Sequence, residues 1–369
     1  MRIRLKILSS DIKFTFHKIN KVKYVIFYET LSKEIIKYIL PEKSQVAVFD
    51  PNQVNLNLSI FFLFFKNLFL LKNSELSFFK FVFLCYQYSH LELINPSKII
   101  TFIDNSSIFQ WFARNYNLAD FFAIQNGYRS KRELTEKFIN NSTNLFSFGF
   151  NEELQFKKFG HSYENFIPAG SFLAAIFDRM PAKYNLNYDI ALVSQHKVSV
   201  LSSPEGEYLK SIDKLLSRYI RENKKIRFCI LCRYKTSSHE GKIEHSYFRK
   251  VYGDEVNLIT RDVSQFSTYS GMKESKLIIS MYSTSAFEAM LWGKKILFCD
   301  FSPHNIYANL KKGIWLMNQN NYKIFSSNID KILHMPHRDY KKITSQYFNF
   351  LMYKNEKQDT IDKISSFLK

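Results

Sequence analysis

Cysteine is scarce in this 369-residue chain, with 4 in all, and glycine and proline number only 10 and 8. Four cysteines over this length form no dense disulfide framework, so a reducing compartment is the simplest reading. So little Gly and Pro excludes collagen-like and low-complexity chains. Acidic residues are outnumbered: 33 Asp and Glu stand against 52 Lys and Arg, a formal charge of +19. That imbalance predicts an anionic partner, a role that nucleic acid, a phosphorylated small molecule or a membrane surface would each fill. Several local signatures are missing too. No G-x-G-x-x-G or G-x-x-x-x-G-K-[ST] supports a dinucleotide or P-loop site, and no G-x-S-x-G marks a hydrolase nucleophile. No H-E-x-x-H or paired C-x-x-C suggests zinc, and no metal site is expected. Met1-Arg-Ile-Arg-Leu-Lys leads into no apolar segment with a cleavage site, so no signal peptide is expected.

What the chain has in abundance is aromatic and aliphatic material: 46% hydrophobic, 17% aromatic, 37 Phe. That is enough for a substantial core and argues against disorder. The longest apolar segment, 54–71, is interrupted by Lys66 and lies at the lower edge of spanning length. A second, 76–85, is interrupted by Lys80. Both read as amphipathic helices whose Phe face packs in the core, meets a second subunit or touches lipid. Cys229 and Cys232 form a C-x-x-C inside the apolar run 226–232. Residues three apart on a strand point to opposite faces, so core packing is expected of them rather than redox or metal chemistry.

Short apolar runs alternate with helical stretches along the chain. Lys23–Tyr28, Gln45–Phe49, Lys98–Asp104 and Phe121–Gln125 read as strands of a first unit. Asp189–Ser194, Ile226–Cys232, Val256–Thr260, Lys276–Ser280 and Lys295–Cys299 read as strands of a second. Such alternation predicts parallel sheets with helices on their faces. Pro168-Ala-Gly-Ser and Pro181–Asn187 are the best linker candidates, because Pro, Gly and Asn interrupt both periodicities. The expected division is a first unit at 1–180, a second at 181–345, and a C-terminal helix at 346–369 that packs back on the first unit. Ligands bind outside the carboxyl ends of such strands, in the cleft between units.

The most informative stretch is Lys276-Leu-Ile-Ile-Ser-Met-Tyr-Ser-Thr-Ser285 and the residues after it, where a buried strand ends in Ser283, Thr284 and Ser285 and a helix over 286–292 begins. Hydroxyls and backbone N–H groups at that point suit a phosphate or diphosphate. Glu288, one turn on, could accept hydrogen bonds from ribose hydroxyls. Equally, Ser285-Ala-Phe-Glu288 has the form of a capping box that merely satisfies the helix's own donors. Asp104 closes a strand at the rim of the cleft, where a carboxylate could act as general base or simply cap the next helix. Gln125-Asn126-Gly127 is a turn after a strand, and Arg129, Lys131 and Arg132 beyond it could attract an anion or form a solvated basic loop. Ser194-Gln195-His196 and Arg233 with Lys235 each follow a strand, where they could touch phosphate or stay solvated.

The strand, hydroxyl turn, E-A-x-x-x-G helix and following strand at 276–299 resemble the donor-nucleotide element of GT-B glycosyltransferases, including CDP-glycerol glycerophosphotransferases. Ile103-Asp-Asn, Ala123-Ile-Gln-Asn-Gly-Tyr-Arg, Ile12-Lys-Phe-Thr-Phe-His-Lys and Ile167-Pro-Ala-Gly-Ser resemble bacterial surface-carbohydrate biosynthesis proteins related to the same transferases. The resemblance spans about residues 10–320. It implies a GT-B-like α/β fold of two Rossmann-like domains and an inverting, metal-independent glycosyltransferase that needs no cofactor. A UDP-, CDP- or CMP-linked sugar would be the donor, and a cell-surface polysaccharide or lipid-linked glycan the acceptor. Ser283, Thr284, Ser285, Arg233, Lys235, Ser194 and Gln195 would hold the donor phosphates and Glu288 its ribose. Gln125, Asn126, Gly127 and Arg129 would meet acceptor or phosphate, and Thr268 and Tyr269 would flank the base by analogy. Gln125-Asn126 replaces the aromatic-His pair of the glycerophosphotransferase turn, which leaves Asp104 or His17 as the base. A cytoplasmic site is expected, with an anionic membrane surface as a further partner. A CDP-polyol phosphotransferase on the same scaffold, a non-catalytic basic scaffold and a nucleic-acid-binding protein remain as alternatives.

Overall fold

The structure, a computed structural model, describes residues 2–3, 12–16, 18–71, 76–136, 143–181, 184–197, 203–303 and 310–369. His17, one of the two candidate bases, lies outside the described residues, as do Ala182 and Lys183 of the linker candidate.

A small three-stranded sheet joins β1 (Arg2–Ile3), β2 (Ile12–Thr15) and β5 (Gln53–Asn55). The first large sheet contains β3 (Tyr24–Phe27), β4 (Val46–Phe49), β6 (Lys98–Thr101), β7 (Asp120–Ile124), β8 (Thr143–Ser147) and β9 (Asn165–Pro168) in the order β4-β3-β6-β7-β8-β9. The second contains β10 (Tyr188–Val193), β11 (Phe228–Leu231), β12 (Asn257–Ile259), β13 (Ser275–Ser280), β14 (Lys295–Cys299) and β15 (Leu316–Met317) in the order β12-β11-β10-β13-β14-β15. Every pairing within both large sheets is parallel. The chain is therefore α/β, with two Rossmann-like halves.

Helices cover both faces of each sheet, which is why the strands read as unbroken apolar runs rather than alternating ones. All four residues of β3 are buried. Val25 and Phe27 pack with Phe81, Leu84, Phe109 and Phe112 on one face. Tyr24 and Ile26 pack with Ile35 and Phe172 on the other, where Ile361, Ile364 and Leu368 from the end of the chain also lie. Cys229 and Cys232 are buried in the core of the second half, and burial pushes the Cys229 thiol up to about 12.

Pro168-Ala-Gly-Ser is not a linker. Pro168 ends the edge strand of the first sheet, where a missing N–H breaks no ladder, and Ser171 caps the helix Phe172–Asp178 by accepting from the Ala174 N–H. Gly170 has φ +87°, and a Cβ there would lie 2.5 Å from the Tyr353 carbonyl, so the turn needs glycine both for its backbone and for this close approach.

After the helix His337–Leu351 the chain returns to the first half. The Tyr353 N–H donates to Phe148 O at 2.7 Å, and Thr360 Oγ1 donates to Ala169 O at 2.6 Å. The helix Thr360–Leu368 then covers the first sheet, and the Tyr24 hydroxyl donates to Leu368 O at 2.9 Å. Among the described residues no helix is long and apolar enough to cross a membrane.

Candidate functional site

The two halves meet where strands of both sheets end. The turn after β7 and the hydroxyl turn after β13 touch: the Tyr128 N–H donates to Thr284 Oγ1 at 3.1 Å. The Tyr128 ring stacks on Phe287 at 4.0 Å and 6°. Tyr128 and Phe148 of the first half belong to the apolar core of the second, so the junction is packed rather than hinged on polar contacts alone.

On the first side, Asp104 follows β6 and is 1% exposed. Its Oδ1 accepts from the Asn126 N–H at 3.0 Å and from the Arg129 guanidinium at 2.5 Å. Arg129 also donates to Asn126 Oδ1 at 2.8 Å. Asp104 Oδ2 and Arg129 Nε are buried with no hydrogen-bond partner among the described residues, so the pair keeps unused valence. Asp104 does not cap a helix; Ser106 does, by accepting from the Phe109 N–H. Gln125 is a brace: its Oε1 accepts from the Phe148 N–H at 2.8 Å and its Nε2 donates to Gly127 O at 3.0 Å. A Cβ on Gly127 would sit 3.6 Å from Thr284 Oγ1, so the two turns approach closely there. Lys131 and Arg132 are exposed on the helix Lys131–Glu136.

On the second side, the helix starts at Thr284 and ends in a tight 3-10 turn at Ala289–Trp292, with Gly293 in the left-handed region at φ +62°. Ser283 is its N-cap and makes no capping hydrogen bond. The capping-box reading of Ser285 and Glu288 fails, because Glu288 points away from the helix start. Its Oε1 accepts from Ser171 Oγ at 2.5 Å and its Oε2 from the Tyr269 hydroxyl at 2.7 Å. Both carboxylate oxygens are taken by protein hydroxyls, so in this arrangement Glu288 braces the two halves instead of facing a ribose. Burial raises its pKa to about 7 against the two hydroxyl bonds, which lower it. Tyr269 cannot flank a nucleotide base either, since its ring is buried among Phe177, Phe266 and Trp292.

Gln195 holds the hydroxyl turn in place. Its Oε1 accepts from Ser280 Oγ, the Met281 N–H and the Tyr282 N–H at 3.2, 3.0 and 2.8 Å. Ser194 donates to Glu244, which also accepts from the Arg233 and Tyr234 N–H groups. One buried carboxylate thus ties together the loops after β10 and β11. His196 is anchored by Asp213 at 2.8 Å, and Asp213 accepts as well from the Tyr247 and Tyr252 hydroxyls. Arg233 is half-buried and Lys235 exposed. Arg261 joins them, donating to the Arg233 carbonyl at 3.3 Å, so three cations follow the ends of β11 and β12.

The structure therefore brings Asp104, Gln125, Asn126, Gly127 and Arg129 to the hydroxyl turn, and sets Arg233 and Lys235 after a strand of the same sheet as that turn. Arg261 directly follows an apolar strand and is open to the same reading as Arg233, whereas Glu244, Asp213 and Tyr247 escape it because they lie within ordinary helices. The one available signal is that Glu244 and Tyr247 share a face, three residues apart, on the helix His239–Tyr252.

No protein family and no curated protein matches the sequence. Solved structures do resemble the fold. The S. aureus MnaA–UDP co-structure aligns over 91% of this chain and 99% of its own at 14% identity and TM-score 0.51. UDP-GlcNAc 2-epimerase from Neisseria meningitidis, bound to UDP-GlcNAc, covers 94% of this chain and 98% of its own at 14% identity and TM-score 0.51. The Methanocaldococcus jannaschii UDP-GlcNAc 2-epimerase in complex with UDP-GlcNAc and UDP covers 97% and 99% at 12% identity and TM-score 0.50. At such identities the likeness is one of fold, and with the topology above it establishes that this chain has the GT-B architecture.

Proposed function

We propose that this chain is an enzyme acting on a nucleotide-sugar, and specifically a metal-independent, inverting glycosyltransferase that builds a surface glycan. The observation that carries the reading is the contact between Tyr128 N and Thr284 Oγ1. It sets an Asp–Arg pair from one parallel sheet against a hydroxyl turn from the other, at strand ends where α/β folds bind ligands. The solved neighbours hold UDP or UDP-GlcNAc, which supports a nucleotide-sugar as substrate class here.

In this scheme Ser283, Thr284 and Ser285 hold donor phosphate, while Arg233, Lys235 and Arg261 neutralise the charge that grows on it. Asp104 Oδ2 takes the proton from an acceptor hydroxyl as its oxygen bonds to the anomeric carbon. The bond from that carbon to phosphate breaks, and the nucleotide leaves with the electron pair. Arg129 competes for Asp104, so an anionic group that draws the guanidinium away would unmask the base. Gln195 and Glu244 position the loops without touching substrate.

Epimerisation is the second reading, favoured by the identity of the neighbours. Thermal shift with UDP-, CDP- and CMP-sugars tests the donor site, since a ligand of the folded state raises Tm. Wild type should respond to one class and Ser285→Ala should respond less; no response to any would refute the assignment. Products then decide the chemistry. Transfer releases the nucleotide and lengthens the acceptor, epimerisation keeps the nucleotide attached, and phosphodiester transfer from a CDP-polyol releases CMP. Asp104→Asn should abolish transfer while donor binding persists.

A further inference from the structure

The helix Leu58–Leu70 carries large apolar side chains on its outer side as well as on its inner one. An apolar helix on a protein surface ordinarily turns its large side chains inward. Here Ile60 and Asn67 are buried and Phe64 and Leu68 pack half-buried against the core, yet Leu58, Phe61, Phe62, Phe65 and Phe69 are exposed, Phe62 to 75% and Phe69 to 84%. Asn67 fixes this orientation: its side-chain amide donates to Ser89 Oγ at 2.9 Å and to Glu92 Oε2 at 2.7 Å on the neighbouring helix Phe78–Ile94. Rotating the Phe face inward would break both bonds and carry the amide out of the core. Phe78 and Phe79, also exposed, begin that neighbouring helix. Phe16 joins the same edge, because Thr15 pairs with Asn55 just before the helix begins, and it is 78% exposed. At about 200 Å² per aromatic side chain, the face leaves on the order of 1,000 Å² of apolar surface in water, beyond the largest patch of an ordinary monomer.

We infer that this Phe face is a docking surface for an anionic lipid bilayer, with the helix lying in the plane of the headgroups. Charge selects the bilayer over a second copy. Each copy carries +19, so two copies repel, whereas anionic lipids attract the same charge. Lys66 on this helix is exposed while pairing with Glu92 at 3.4 Å, and Lys18, two residues beyond Phe16, is exposed as well. The chemistry of the face agrees. Phe side chains carry no hydrogen-bonding group that would fix a partner's register, and a fluid acyl layer needs none. At 13 residues the helix is too short to span and suits interfacial burial. The inference does not rest on the donor-site chemistry proposed above.

Co-sedimentation of the full chain with vesicles tests it, using phosphatidylcholine alone and phosphatidylcholine mixed with phosphatidylglycerol. Wild type should pellet with the anionic vesicles, less so as salt rises. The double substitution Phe62→Ser, Phe69→Ser should weaken binding by about tenfold or more with Tm unchanged, because both residues are already in water. Lys66→Glu should weaken it less, and Phe69→Trp should give a blue-shifted emission on anionic vesicles. Failure of wild type to bind, or undiminished binding by the double variant, overturns the inference. So does a concentration-dependent dimer in sedimentation velocity that the same substitutions disperse while no vesicle is bound.

Discussion

Replacing Glu288 by Gln should stabilise this protein, and by an amount that depends on pH. The wild-type carboxyl is 3% exposed and burial lifts it from 4.5 to about 7. A group whose folded pKa lies above its unfolded one holds its proton in the folded state while the unfolded chain has released it. Stability therefore falls as pH rises from about 4.5 to about 7 and stays lower above that window. The difference corresponds to about 3 kcal/mol. Gln has nearly the same shape, accepts from one hydroxyl and donates to the other, and never ionises. Urea unfolding of wild type and Glu288→Gln at about pH 5 and about pH 9 gives the test. The variant should gain little at the acid end and about 2–3 kcal/mol at the alkaline end. Glu152, which burial lifts to about 8, gives both proteins the same background slope, so the difference between them isolates Glu288. A gain that is the same at both pH values, or a loss at the alkaline one, would refute the reasoning.

Two further substitutions probe the turns that meet at the site. Gln195→Ala strips a shared acceptor from Ser280 Oγ, Met281 N and Tyr282 N, and should cost about 1–3 kcal/mol in urea unfolding and weaken any nucleotide-sugar thermal shift. Equal donor response in wild type and variant would mean that the turn does not hold the donor. Arg129→Ala leaves the Asp104 carboxylate buried without its cation and should cost about 3–5 kcal/mol, while Asp104→Leu with Arg129→Met should recover most of it. A double variant no more stable than Arg129→Ala would show that the pair is not the source of the loss.

Strands buried on both faces are legible in the sequence as apolar runs. β14 has the limits expected, and β3, β6 and β13 differ from expectation by a few residues at most. β8 and β9 are not so legible, because Thr143-Asn-Leu-Phe-Ser and Asn165-Phe-Ile-Pro mix polar residues into short segments near the sheet edge. At the site, residues that follow strands could be named from position alone, and the structure gathers Asp104, Gly127 and Arg129 beside Thr284. Their alternatives could not be judged in the same way. Whether Asp104 or Ser106 caps a helix, and whether Glu288 turns toward its own helix or toward Ser171, is settled by partners far away along the chain. Asp213 and Glu244 are invisible for the same reason. Each becomes a buried acceptor only once a helix packs over the strand-end loops, and no local pattern encodes that docking.

The return of the chain to its first sheet ties the order of synthesis to the order of folding. One face of the sheet that spans residues 24–168 is completed by Ile361, Ile364 and Leu368. A ribosome moving from the amino end makes every strand of that sheet before the residues that complete its cover. For much of translation the nascent first half therefore shows part of an apolar face on the side of Tyr24 and Ile26. A carboxyl-terminal clip that removes residues 360–369 would return the mature protein to that incomplete condition, with the second sheet and the junction left in place.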